Sequence, residues 1–250
     1  MNPTVLAVPG AWHTVESFEP LKKIFTARDY DFVSQNAPGV ADKDSSALRD
    51  AESLRSKLLG PLIDAGKDVI VLMHSYGGIY GSQAVQGLSK REREQAGKQG
   101  GVVALIYVSA VTPVVGKTTL DMMGTDARNL PPWVHHEEST GLVSFTGAKE
   151  VMYHDISEEE ATHYISLLKD QVLNSLDTPI TYSPLNDPNF AGKAGYVLCG
   201  ADQVIPLAGQ EAYAAIGGID RTILVDEASH AFFATAPNET VEAVLTLSER

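Results

Sequence analysis

Short apolar runs alternate with longer amphipathic stretches along most of the chain. Residues 4–8, 69–73, 102–108, 196–199 and 222–225 are apolar almost without a break. A run of strand length with no polar alternation predicts a strand covered on both faces, as in a parallel sheet between helical layers. Residues 31–35 form a weaker sixth candidate. Helical spacing recurs between the runs, at 17–27, 45–65, 77–89, 207–216 and from 239 onward. This alternation predicts an α/β fold, an open and mostly parallel sheet of about six strands with right-handed crossovers. In such sheets ligands bind beyond the carboxyl ends of the strands.

The pattern breaks after the fourth strand. Residues 113–188 are more polar, with scattered aromatic and histidine side chains. Ser157 followed by Glu158-Glu159-Glu160 predicts a helix start, since the serine caps and the acids suit the positive end of the helix dipole. Because the strand pattern resumes at Gly195, this segment is expected to be a helical lid over the strand ends. The core is then residues 1–112 and 189–250, one domain with an insertion at a length of 250 residues.

Composition narrows the class. The formal net charge of −13 opposes nucleic-acid binding, and the one basic cluster, Lys90-Arg91-Glu92-Arg93, is interleaved with acid. Cys199 is the single cysteine, so no internal disulfide can form. No transmembrane-length apolar run and no signal-type N-terminus occur, so a cytoplasmic protein without membrane attachment is expected. An acidic surface neither requires nor forbids a homodimer.

One segment carries chemistry. In Val69-Ile-Val-Leu-Met-His-Ser-Tyr-Gly-Gly78 a buried-type strand runs into Ser75, and a glycine pair then opens a helix. That is the context of a nucleophile elbow, whose sharp turn needs small residues two positions either side of the serine. Gly77 meets the need; Met73 does not and must find a gap. A serine hydroxyl needs an imidazole to take its proton, and the imidazole needs a carboxylate to fix its tautomer. Asp202 follows the strand 196–199 and His230 follows the strand 222–225, giving the chain order Ser, Asp, His. Asp226 and Glu227 are rival acids, placed awkwardly close to His230 along the chain. An oxyanion hole needs backbone donors, and the amides of Tyr76 and of Ala11, in the loop after the first strand, are the candidates.

Pro-Gly-Ala-Trp-His, Ser-Phe-Glu-Pro, His-Ser-Tyr-Gly-Gly, Gly-Ala-Asp-Gln-Val-Ile-Pro and Ala-Ser-His-Ala-Phe together resemble the α/β-hydrolase superfamily. The closer similarity is to its small esterase branch, with plant methylesterases, hydroxynitrile lyases and fungal and bacterial hydrolases. The family commonly has His-Gly where this chain has Pro9-Gly10. The resemblance implies a sheet of about six strands, since the chain starts directly at the strand preceding the oxyanion loop.

Serine rather than aspartate at the nucleophile position points to acyl transfer, hence hydrolysis of a carboxylic ester or lactone of a small, fairly apolar molecule. Trp12, Trp133, Tyr153 and Tyr164 are the expected substrate contacts, with Leu142 and Phe145 beside them. A lyase of hydroxynitrile-lyase type stays open, because Lys117, Lys149 and Lys169 could supply a cation. So does a non-catalytic small-molecule receptor. His135, His136 and His154 lack the spacing zinc prefers, and no nucleotide fingerprint is present, so no metal and no cofactor are expected.

Overall fold

The computed structural model describes residues 2–40 and 42–249. Nine strands occur among them: β1 (Thr4–Val8), β2 (Phe32–Ser34), β3 (Asp68–His74), β4 (Gly101–Val108), β5 (Val134–Glu137), β6 (Leu142–Phe145), β7 (Gln171–Val172), β8 (Ala194–Cys199) and β9 (Thr222–Val225). Six of them form one sheet in the order β2-β1-β3-β4-β8-β9. Every pairing in it is parallel. This is the open, parallel six-stranded sheet that the apolar runs predict.

Four of the five apolar runs have the predicted cause; β9 differs, with Thr222 and Leu224 exposed and only Val225 buried, because it is an edge strand covered on one side. All five residues of β1 are buried, as are all of β3 except Asp68, because helices cover both faces. The helices Glu19–Thr26 and Pro237–Ser248 pack on each other, and the latter lies on β4, β8 and β9. A second group is led by Gly77–Ala84, which packs on β1 and β3 with Ala47–Leu54 over it. The two edge strands are short, three residues in β2 and four in β9, which limits the unpaired backbone offered to another chain.

The segment between β4 and β8 differs from the helical expectation. It does contain the helix Glu158–Leu167, begun by a reciprocal cap between Ser157 and Glu160. It also contains a three-stranded antiparallel sheet, β5-β6-β7. Each of these strands has four residues or fewer, too short for a two-residue period to stand out from the surrounding polar sequence. The hairpin between β5 and β6 closes at Gly141, whose φ of +71° suits glycine.

Met73 finds its gap at Gly81. A Cβ at Gly81 would lie 2.9 Å from Met73 Cγ and 3.0 Å from its sulfur, so the bulky strand residue is accommodated one helical turn beyond the elbow. Gly81→Ala is therefore expected to cost about 1–3 kcal/mol of stability through overpacking. The penalty should shrink in a Met73→Ala background, as chemical-denaturation midpoints of the double-mutant cycle would reveal.

Candidate active site

Parallel pairing places the carboxyl ends of β1, β3, β4, β8 and β9 along a single edge of the sheet. The residues that leave those ends are Pro9 to Trp12, Ser75, Ser109, Asp202 and His230. Among the described residues four that are not glycine have positive φ: Trp12 (64°), Asp29 (62°), Ser75 (52°) and Ser109 (40°). Three of the four stand at this edge. Such conformations cost roughly 1–2 kcal/mol each for an L-residue, and their clustering here marks the edge as a functional candidate.

The turn at Ser75 is enforced by its neighbours. A Cβ on Gly77 would collide with the carbonyl oxygens of Val8 and Pro9, and one on Gly78 with that of Val111. The Val111 amide donates to the Ser75 carbonyl at 3.1 Å. Gly10 rests on Ser75 itself, since a Cβ there would lie 2.8 Å from Ser75 Cβ. The loop carrying the Ala11 amide thus sits directly against the elbow carrying the Tyr76 amide.

Asp202 and His230 meet, with the ring Nδ1 2.8 Å from Asp202 Oδ2, and both are buried. The other carboxylate oxygen accepts the amides of Val204 at 2.7 Å and Ile205 at 2.9 Å, so the turn after β8 holds the acid in place. Asp226 and Glu227 are exposed and take no part. Ser109, not singled out from sequence, donates its hydroxyl to Asp202 Oδ2 and lies 3.3 Å from His230 Nδ1. Its signal was a polar residue at the carboxyl end of an otherwise apolar strand.

Three imidazoles cluster behind the elbow. The His74 ring lies 4.7 Å from that of His230 and 5.0 Å from that of His13, centroid to centroid. Burial, then the neighbouring His230, lowers the His13 pKa to about 3, although its Nδ1 pairs with the Ala11 carbonyl. Burial, then His230 and His13, holds His74 well below the ordinary histidine value. Neither His74 nitrogen has a well-aligned hydrogen-bond partner, and the main chain of His230 offers only weak compensation. His13 and His74 are therefore neutral at pH 7, and of the three rings only His230 faces a carboxylate.

Asp50 is a second residue that gave no sign of its role in the sequence. It is fully buried on the helix Ala47–Leu54 and accepts the Tyr76 hydroxyl at 2.8 Å, the Ser45 hydroxyl at 2.8 Å and the Gly39 amide at 2.7 Å. Burial raises its pKa, and these donors offset the rise in part. Tyr76, the residue that follows Ser75, is thereby anchored through its side chain.

Ser75 opens into a narrow, largely closed cavity. Ala11, Trp12, Tyr76, Val111 and Ile205 line it from the core, and Leu120, Met123, Leu130, Trp133 and Leu176 from the segment between β4 and β8. Among the described residues no charged side chain lines it. Of the four expected substrate contacts, Trp12 and Trp133 line the cavity. Tyr153 and Tyr164 do not; they stack on each other at 5.7 Å, and Tyr153 is wholly buried beside His13. Among the described residues no three His, Cys, Asp or Glu side chains are grouped to hold a metal ion, and no helix is long and apolar enough to cross a membrane. A larger open groove beside the amino end of β4 holds Arg55 and Arg93, both already bonded to carbonyl oxygens and, for Arg93, to Asp64.

The neutral histidines have a consequence for acid stability. A histidine whose folded pKa is depressed binds fewer protons in the folded than in the unfolded state, so stability falls as pH drops below about 6.5, the ordinary value. Each such ring contributes a slope of about 1.4 kcal/mol per pH unit. His74→Phe, which suits the surrounding Phe18, Phe232 and Phe233, should remove one of these slopes between about pH 6 and 4. Urea midpoints across that range measure it.

A sequence model described as the alpha/beta hydrolase family matches residues 5–244. The alpha/beta hydrolase nvfD of Aspergillus novofumigatus (strain IBT 16806) is 27% identical over 209 residues, 82% of this chain and 80% of that protein. Among solved structures, a pyrethroid hydrolase from Sphingobium faniae JZ-2 aligns with a TM-score of 0.74 at 17% identity, over 99% of this chain and 97% of that one. Polyneuridine aldehyde esterase aligns over 100% of both chains with a TM-score of 0.78 at 16% identity. A methylesterase from Arabidopsis aligns over 98% of each with 0.74 and 16%. At these identities the structural likeness is one of fold. With the elbow, the strand order and a sequence match spanning nearly all of its length, the chain belongs to the alpha/beta hydrolase family.

Proposed function

We propose that this protein is a serine-dependent hydrolase of a carboxylic ester or lactone of a small, uncharged, apolar molecule. The observation that carries the reading is the buried His230–Asp202 pair at the sheet edge where the strained Ser75 faces an uncharged cavity. Ser75 Oγ attacks the ester carbonyl carbon as His230 Nε2 takes its proton. Asp202 accepts the Nδ1 proton, fixes the tautomer and stabilises the imidazolium. The amides of Ala11 and Tyr76 receive the oxyanion, the alcohol leaves with the proton from His230, and water repeats the sequence on the acyl-enzyme.

The names of the similar proteins, a pyrethroid hydrolase, polyneuridine aldehyde esterase and a methylesterase, agree with ester chemistry on this scaffold. The cavity favours a neutral substrate because a charged group would lose its water there and find no counter-charge. The same reading makes residues 1–112 and 189–250 the core and 113–188 the lid. A lyase would need a cation beside the reacting carbon. Lys117, Lys149 and Lys169 are all absent from the cavity lining, and Lys149 points to the Tyr153 and Ile156 carbonyls.

Turnover of simple aryl esters is expected for the wild type, with Ser75→Ala and Asp202→Asn each lowering kcat by about 10⁴-fold. A fluorophosphonate should label Ser75; a folded wild type that neither labels nor turns over any ester would falsify the reading. Ser109→Ala should lower kcat by about tenfold, because it removes a donor to a buried carboxylate, worth roughly 1.5–3 kcal/mol.

A further inference from the structure

Trp12 combines a strained backbone with attachments that all come from one side. Its φ of +64° is unusual for a bulky side chain, and it directly follows Ala11, the oxyanion-donor candidate. Its indole N–H donates to the Val143 carbonyl in β6 at 2.8 Å. Its own carbonyl accepts the Lys169 amide at 2.9 Å. Its ring packs edge-on against Phe145 at 5.2 Å and Trp133 at 6.3 Å, and those two rings stack at 4.7 Å. Val143, Phe145, Trp133 and Lys169 all belong to the segment between β4 and β8.

We infer that Trp12 is a positioning residue through which the lid holds the oxyanion loop, so that the Ala11 amide is aimed at the reacting carbonyl only while the lid is seated. This rests on the serine-hydrolase reading. A non-glycine residue stays at positive φ only where its surroundings over-determine it. At Trp12 the turn bond from the His13 amide to the Gly10 carbonyl, at 3.3 Å, contributes from the core, while two further hydrogen bonds and an aromatic cluster come from the lid. Lifting the lid frees Trp12 to relax toward negative φ, which swings the Ala11–Trp12 peptide unit and, through the Ala11 backbone, displaces the amide donor next to it. Substrate entry then exposes an enzyme without its full oxyanion hole, and closure over the bound ester completes it. Lid closure and catalytic competence become one event.

Lys169→Pro tests the coupling at a position outside the cavity. It deletes the N–H that reaches the Trp12 carbonyl, and Leu168, at φ −64° and ψ 144°, already has the extended conformation that precedes proline. It is compared with Lys169→Ala, which keeps the N–H. Trp12→Phe removes the indole donor and serves as a second variant should the proline disrupt folding; circular dichroism and melting curves confirm the folded state at the assay temperature.

Relative to Lys169→Ala, Lys169→Pro is expected to lose about tenfold in kcat with KM within about twofold, a fraction of the roughly 10²–10³-fold lost when an oxyanion donor is deleted outright; Trp12→Phe, which also alters the cavity wall, should show a similar loss in kcat relative to the wild type beside any change in KM. Affinity for phenylboronic acid, which forms a tetrahedral adduct on a serine, should fall with kcat/KM. The chain has only two tryptophans, Trp12 and Trp133, both at this junction, so acrylamide quenching of the Lys169→Pro emission should rise as the junction loosens.

Kinetics of Lys169→Pro matching those of Lys169→Ala, or a Trp12→Phe loss confined to KM, overturns the inference while the hydrolase reading stands on its Ser75→Ala control. A wild type without Ser75-dependent turnover removes both.

Discussion

Ser75 can keep a φ of +52° only because the helix behind it is pressed onto the loops after β1 and β4, with Gly77 against the Val8 and Pro9 carbonyls and Gly78 against that of Val111. A single methyl group at either glycine would push helix and sheet apart. Together with Trp12 and Ser109, the edge carries three left-handed residues, a strain of roughly 3–6 kcal/mol at 1–2 kcal/mol each. That is comparable with the net stability of a whole domain, about 5–15 kcal/mol. The doubly covered central strands supply the burial that makes such local strain tolerable.

The parallel sheet was legible because its central strands are buried on both faces and so carry no polar alternation. The candidates Ser75, Asp202 and His230 could be picked out because each follows a strand of the sheet, and parallel pairing puts those strand ends at one edge. Ser109 and Asp50 left weaker traces. Ser109 acts through a single hydroxyl to Asp202, and one serine at a strand end resembles many others. Asp50 lies on a helix whose amphipathic pattern places it on the buried side, yet nothing local shows that Tyr76, 26 positions later, will bring its hydroxyl there.

The segment between β4 and β8 was the least legible because its order depends on contact with the core rather than on its own pattern. β7 has two residues and is joined to the loop after β2, where the Val172 amide meets the Gly39 carbonyl. The Asn174 side chain donates to the Ser45 carbonyl. Tyr153 and Tyr164 were expected at the substrate because aromatic side chains suit an apolar pocket; instead they stack on each other, Tyr164 packing on Phe233 and Tyr153 lying beside His13. Aromatic content predicts burial, and only geometry tells wall from foundation.

The uncharged lining of the cavity bears on the fate of the product once the bond is cleaved. Under the proposed chemistry a neutral guest is converted into a carboxylate anion among walls that carry no charged side chain to pair with it, within a chain of net charge −13. The product becomes unwelcome at the moment it forms. Expulsion is thus written into the wall composition, the reverse acylation finds little bound acid to work on, and accumulating product should be a poor inhibitor of its own formation.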